Sequence, residues 1–110
     1  MNLDNWLAQR AQTCPDRPAL IAAGRELDYA ELEAEAAALA RRLAARGVRR
    51  GATVAISLRP GAEYVVLLHA LMKLGAVAFP VNTRLAKPEL NSVLAAARPA
   101  LTIHAVIVIG

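Results

Sequence analysis

Thr53-Val-Ala-Ile-Ser-Leu58, Arg59-Pro-Gly61, Ala62-Glu-Tyr-Val-Val-Leu-Leu-His-Ala-Leu-Met-Lys-Leu74, Gly75 and Ala76-Val-Ala-Phe-Pro-Val81 follow one another without a break. The first run is short and β-rich, with Gly51 before it and a Pro-Gly turn after it, so it reads as a strand. Ala62 to Leu74 is apolar nearly all round. Its polar residues Glu63, His69 and Lys73 share roughly one-third of the helical wheel. Such a helix is packed on most sides, and Gly75 ends it. Ala76 to Val81 is apolar without alternation, the pattern of a parallel strand covered on both faces. Pro88 fits the first helical position of a helix running to Ala97, with Leu90, Val93, Leu94 and Ala97 as its buried stripe. Pro99 stops that helix, and Leu101 to Ile109 is a last strand-like run. Strand, helix, strand, helix and strand with short connections predict a right-handed parallel α/β unit.

Upstream, Leu3 to Gln12 reads as a short helix with Trp6 as a packing anchor, ended by Thr13-Cys-Pro-Asp-Arg-Pro18. Ala19 to Ala22 and Arg25 to Asp28, around Ala23-Gly24, suggest a β-hairpin. Tyr29 to Arg46 is the clearest helix. Asp28 and Glu31 have the spacing of a capping box. Leu32, Ala36, Leu39 and Leu43 share one face, and Gly47 is a natural left-handed terminator. Tyr29 and Leu32 are expected to pack this helix on the hairpin. Gly47 and Gly51 are expected to make turns, and Gly75-Ala76 to let helix and strand backbones approach closely.

With 56% apolar and 20% charged residues, the chain is not disordered. The core must be built from Leu, Val, Ile and Ala, because Trp6, Tyr29, Tyr64 and Phe79 are the only aromatics. Net charge is +4, and arginine supplies most of the basic side chains. Arg41, Arg42, Arg46, Arg49 and Arg50 cluster on and after one helix. No aromatics interleave to stack bases, so they read as a solvated surface and not a nucleic-acid site. Cys14 is alone, which excludes an internal disulfide or a thiolate metal cluster and fits a reducing compartment. No base lies near it in sequence to activate the thiol. Asn2, Asp4, Asn5, Gln9 and Arg10 interrupt any signal-like run. The apolar stretch from Tyr64 to Val81 contains His69 and Lys73 and is broken by Gly75 and Pro80, so it is not a membrane span. A cytoplasmic, non-transmembrane protein is expected.

Searches for chemistry return no constellation. There is no glycine-rich dinucleotide or phosphate loop, and Ser57 and Ser92 are not in nucleophile-elbow sequences. His69 and His104 stand apart from each other and lack Cys or carboxylate neighbours at metal spacing. Glu31, Glu33 and Glu35 are helix-surface acids and not an acid/base pair. The expected catalytic, cofactor-binding and metal-ligating residues are therefore none.

An ordered set of structural sequences does stand out: Pro15-Asp-Arg-Pro-Ala-Leu-Ile21, Asp28-Tyr-Ala-Glu-Leu32, Leu39-Ala-Arg-Arg-Leu43, Gly47-Val-Arg-Arg-Gly-Ala-Thr-Val-Ala55, Gly61-Ala-Glu-Tyr64 and Leu74-Gly-Ala-Val-Ala-Phe-Pro-Val-Asn82. In these the chain resembles the beginning of the acyl-CoA synthetases, members of the adenylate-forming enzymes that include luciferases and peptide-synthetase adenylation domains. The resemblance implies the start of their large N-terminal domain: a partial, mostly parallel sheet covered by helices, preceded by a helix and a β-hairpin. It covers residues 1–104 as part of an AMP-binding domain and leaves 105–110 as a divergent apolar tail. Asn82, where peptide-synthetase domains usually carry Asp, looks like the acyl-CoA ligase form. The short N-terminal region looks like that of medium-chain, long-chain or o-succinylbenzoate-type ligases.

The resemblance implies a two-step reaction: a carboxylic acid and ATP give an acyl-adenylate and pyrophosphate, and CoA thiol then displaces AMP. The family holds the developing charge with a Ser/Thr/Gly-rich loop, a later Thr–Glu pair, an Asp for the ribose and a Lys on a mobile C-terminal domain, together with Mg²⁺. All lie downstream of the matched region, and Lys73 and Lys87 are not beside Gly or Ser/Thr runs. The implied partners are a carboxylic acid, ATP and CoA, with none of the cofactors held by this chain. Departures are Ala52, where the family has Asp, and Lys87, where a Ser or Thr cap is usual. After His104 the likeness stops, through a shifted frame, a truncated gene or divergence. The expected function is a segment of an AMP-forming acyl-CoA synthetase, inactive alone. The alternatives are a non-catalytic docking module and an unrelated α/β domain. Ala105 to Ile109 is β-branched and uncharged, which invites self-association through a sheet edge.

Overall fold

The computed structural model describes residues 6–22, 25–59, 61–82 and 84–104, with side chains given for all of these except 21 and 22. Among them the order is helix α1 (Trp6–Thr13), strands β1 (Pro18–Ala22) and β2 (Arg25–Asp28), α2 (Tyr29–Ala45), β3 (Thr53–Ile56), α3 (Ala62–Leu74), β4 (Val77–Pro80), α4 (Lys87–Ala97) and β5 (Leu101–Ile103). The expected α/β class, N-terminal helix and hairpin are all present. The start of the expected first helix, the hairpin turn and the apolar tail 105–110 lie outside the described residues.

Local chemistry accounts for the boundaries. Asp28 Oδ1 accepts from the Glu31 N–H at 2.8 Å, and Glu31 Oε1 accepts from the Asp28 N–H at 3.0 Å. This reciprocal box satisfies two N–H groups that the first turn of α2 leaves free. Gly47 follows α2 at φ +93°, a conformation that any Cβ penalises. Ala86, not Lys87, is the N-cap of α4. It offers no side-chain hydrogen bond, and Pro88 falls within the first turn. Arg98 ends α4 in the left-handed region at φ +49° before Pro99.

β1 and β2 pair antiparallel, and β4-β3-β5 form a parallel sheet with β3 in the centre. Thr53 aligns with Val77 and Val54 with Leu101. Side chains alternate across the sheet. Val54, Ile56, Ala78, Leu101 and Ile103 therefore face one side, where Leu67, Ala70 and Leu71 of α3 and Ala40 and Leu43 of α2 complete the main core. A second cluster joins Leu7 of α1, Leu27 of β2, Leu32 and Ala36 of α2 and Val66 of α3, with Leu20 and Tyr29 against it. As expected, α2 is seated on the hairpin through Tyr29 and Leu32.

Thr53, Ala55, Val77, Phe79 and Thr102 take the opposite face. Right-handed crossovers that leave β3 for one neighbour and return to the other place α3 and α4 on opposite faces. The packing agrees, because no residue of α4 joins either core cluster. The stripe of Leu90, Val93, Leu94 and Ala97 is the inward side of α4, but each is only half-buried. β4 departs from the expectation that it is covered on both faces: it is an edge strand, and Val77 is 51% exposed. Its lack of alternation reflects apolar residues on both sides, one of which is open among the described residues.

Gly75 caps α3 at φ +69°, as its position suggested. Its close neighbour is not a strand backbone but the Arg50 side chain. A Cβ at residue 75 would lie 3.0 Å from Arg50 Cζ. The backbones of the two turns meet as well, through the Gly51 N–H donating to the Gly75 carbonyl at 2.9 Å.

Candidate functional site

Three parallel strands bring separate loops to one end of the sheet. At the carboxyl ends, the Ser57 N–H donates to Ile103 O at 2.9 Å and the Val81 N–H donates to Ile56 O at 2.8 Å. These bonds set Ser57 beside the end of β5 and Val81-Asn82 beside the end of β3. Asn82 Oδ1 accepts from the Arg84 N–H at 2.9 Å, forming the turn that leads into α4. Arg59, Arg84 and His104 are exposed on the segments that leave this edge. The strand order reverses between β3 and β5, and open α/β sheets bind ligands outside the carboxyl ends at such a reversal. The edge is basic and rich in hydrogen-bonding groups, which suits an anionic ligand. Among the described residues it has no nucleophile hydrogen-bonded to a base.

Several other polar residues hold elements together. Lys73 Nζ donates to Glu33 Oε1 at 2.7 Å, and Glu33 Oε2 is at the same 2.7 Å ion-pair distance, outside hydrogen-bonding direction. Both side chains are mostly buried, so the pair ties α3 to α2. Arg25 forms a fork on Glu35, with Nη2 at 3.1 and 2.9 Å from its two oxygens. Glu31 closes the helix cap, and Ser92 Oγ donates to the Pro88 carbonyl at 3.0 Å. Cys14 is half-buried just after α1, its N–H on Arg10 O at 2.7 Å.

His69 has a different setting, between α1 and α3. Its ring stacks on Trp6 at 6.2 Å with a 13° interplanar angle. Trp6 also meets Tyr29 edge-on at 6.1 Å, and the Arg10 guanidinium lies over Tyr29 at 5.2 Å. Burial, and then the Lys73 ammonium, hold His69 below the usual histidine range, with Glu33 pulling the other way. His69 is therefore a packing histidine between α1 and α3, while His104 is exposed at the end of β5. The structure does not bring them together.

Mg²⁺ needs several free oxygen ligands. Among the described residues no group of three or more His, Cys, Asp or Glu could hold a metal ion, and Glu31, Glu33 and Glu35 already accept from Asp28, Lys73 and Arg25. These residues do not fit the metal that the resemblance implies. Among the described residues no helix is long and apolar enough to cross a membrane.

Residues 7–108 match the family model for AMP-binding enzymes. The chain belongs to the AMP-binding enzyme family. The chain is 46% identical over 85 residues to the 2-succinylbenzoate–CoA ligase of Bacillus subtilis strain 168, an alignment covering 77% of this chain and 18% of that enzyme. Its fold superimposes with a TM-score of 0.82, at 41% identity, on the Bacillus subtilis O-succinylbenzoate coenzyme A synthetase in complex with ATP and magnesium ion, over 89% of this chain and 27% of that one. It also matches the Klebsiella oxytoca NpsA N-terminal subdomain in complex with anthranilyl-AMSN, with a TM-score of 0.81 and 35% identity over 89% of this chain and 26% of that one. The chain thus spans about a fifth of the length of the curated relative. The two folds are matched equally well, so it is sequence identity that ranks the CoA ligase above the NpsA subdomain. The architecture is that expected at the start of the adenylate-forming fold.

Proposed function

We propose that this chain is a scaffolding segment of an ATP-dependent, AMP-forming acid–CoA ligase. In that reaction the carboxylate attacks the α-phosphorus of ATP, pyrophosphate leaves, and the CoA thiol then displaces AMP. The observation that carries the scaffolding role is the fate of Lys73. It is the only lysine in the cored part of the fold, and both its carboxylate contacts go to Glu33. A lysine so held supplies α2–α3 cohesion and not transition-state charge. The developing phosphate charge needs preorganised donors and a metal. Lys73 is held by Glu33, and Arg59, Arg84 and His104 are exposed without a metal-binding group among the described residues beside them. The 110-residue chain alone is accordingly inactive.

Two assays test this reading. The chain alone, given ATP, Mg²⁺, CoA and 2-succinylbenzoate, is expected to release neither AMP nor pyrophosphate above background. Turnover would overturn the claim of inactivity. Grafted in place of the matching segment of the Bacillus subtilis ligase, the chain is expected to preserve CoA thioester formation. A soluble graft that binds no ATP would overturn the scaffolding role. 2-Succinylbenzoate is the first acid to try because Bacillus relatives that match this chain at 46% and 39% identity are named 2-succinylbenzoate–CoA ligases.

One observation favours a second reading, a non-catalytic module that docks on another subunit or on itself. Val77 is 51% exposed on an edge strand, and the α4 stripe is only half-buried. Exposed apolar edges pair readily with other chains.

A further inference from the structure

Among the described residues helix α1 has 8 residues, and isolated helices below roughly 12–15 residues are marginal in water, so it depends on its contacts with the body. Leu7 is its one buried described residue. Trp6 packs against the Leu7 cluster, edge-on to Tyr29 and stacked on His69, with Arg10 over Tyr29. The chain after α1 is tied to the start of α2 by the Ala30 N–H donating to Pro15 O and the Tyr29 N–H donating to Arg17 O. The Trp6–His69 stack joins α1 to α3, and it contains a group that titrates near neutrality.

We propose that His69 is a proton-operated latch on α1. Neutral, it stacks on Trp6 and holds the helix; protonated by solvent, it releases it.

The charges facing His69 decide the sign. On its own helix, Lys73 is one turn further along, on the same face. From α2 come Glu33 and the uncharged Tyr29, and from α1 comes Arg10. Glu33 has both oxygens 2.7 Å from the Lys73 ammonium, so its charge is already met. A charged imidazole would add a second cation beside one carboxylate, in a half-buried place. An imidazolium over an indole face gains roughly 0.5–1 kcal/mol as a cation–π contact at an exposed site. Against that gain stand its half-buried place and the Lys73 ammonium one turn away, which hold His69 below its ordinary range while Glu33 pulls the other way. The docked state therefore favours neutral imidazole, whereas the undocked state binds a proton near the ordinary value of about 6.5. Docking is strongest above that value. It weakens as pH falls below it, and the loss stops growing once the docked state is itself protonated.

The chain has one tryptophan, so Trp6 reports on α1 alone. Its emission maximum and acrylamide accessibility would be followed in the full chain between about pH 8 and about pH 5. The expected result is a red shift and increased quenching with a midpoint below about 6.5, while far-UV circular dichroism retains the α2 and α3 signal. His69→Phe keeps a flat ring and cannot take a proton, so its Trp6 emission is expected to stay constant across the range. His104→Gln is expected to leave the transition in place, and Lys73→Gln to raise its midpoint. A flat response in the wild type would overturn the latch. So would an unchanged transition in His69→Phe, or one that coincides with loss of the whole helical signal.

Discussion

Lys73 of α3 and Glu33 of α2 are joined by two oxygen contacts of 2.7 Å, with side chains only 17% and 24% exposed. Forty residues separate them in sequence. Removing one partner of such a pair leaves the other charge poorly solvated, which costs more than the pair itself contributes. Lys73→Met is expected to lower stability by about 1–3 kcal/mol, measured from the urea midpoint at constant slope. The double variant Lys73→Met with Glu33→Leu is expected to recover most of that loss. Equal destabilisation by the single and double variants would show that the ion pair is not the cause.

Arg50 and Gly75 make a graded series possible. Gly47 and Gly51 have positive φ with open space at the Cβ position, whereas Gly75 has positive φ and Arg50 against it. Gly47→Ala is expected to cost about 1 kcal/mol from backbone strain alone. Gly75→Ala is expected to cost more, and its cost measured in an Arg50→Ala background to fall back towards that of Gly47→Ala. Urea unfolding of the three variants checks the order.

The α2 cap predicts a third result. Asp28→Ala removes the acceptor for the Glu31 N–H and is expected to destabilise the fold by about 1 kcal/mol. Asp28→Asn, which still accepts that hydrogen bond, is expected to lose at most a few tenths of it. Thermal melts of the two variants side by side provide the comparison.

Val77 provides a fourth. It is the one large apolar side chain classed as exposed among the described residues, and it is on the β4 edge. If that edge drives association, Val77→Lys will raise the monomer fraction in concentration-dependent sedimentation. Unchanged association would move the contact to another surface, the β5 edge included.

Secondary structure was readable because its signals are local. The Asp28–Glu31 spacing, the helical period of Leu32, Ala36 and Leu43, and the glycines at 47 and 75 each fix a boundary within one turn of chain. The sequence by itself also determined the family, since the ordered motifs from Pro15 to Asn82 needed no coordinates. It also supplied the expectation that the chain has no catalytic residues. Tertiary structure alone decided the long-range pairings. The strand order put β4 at an edge and exposed Val77, although its run of apolar residues is the same as that of a covered strand. Side-chain partners were equally hidden. Lys73 with Glu33, Arg25 with Glu35 and His69 with Trp6 are separated by stretches of chain that carry no periodic signal linking them, and their approach depends on how α1, α2 and α3 pack. His69 read as an isolated helix-edge histidine because Trp6 and Glu33 reach it from other helices. Its lowered proton affinity comes first from burial in that packing, which its own stretch of sequence does not show, and then from the Lys73 ammonium one turn along its own helix.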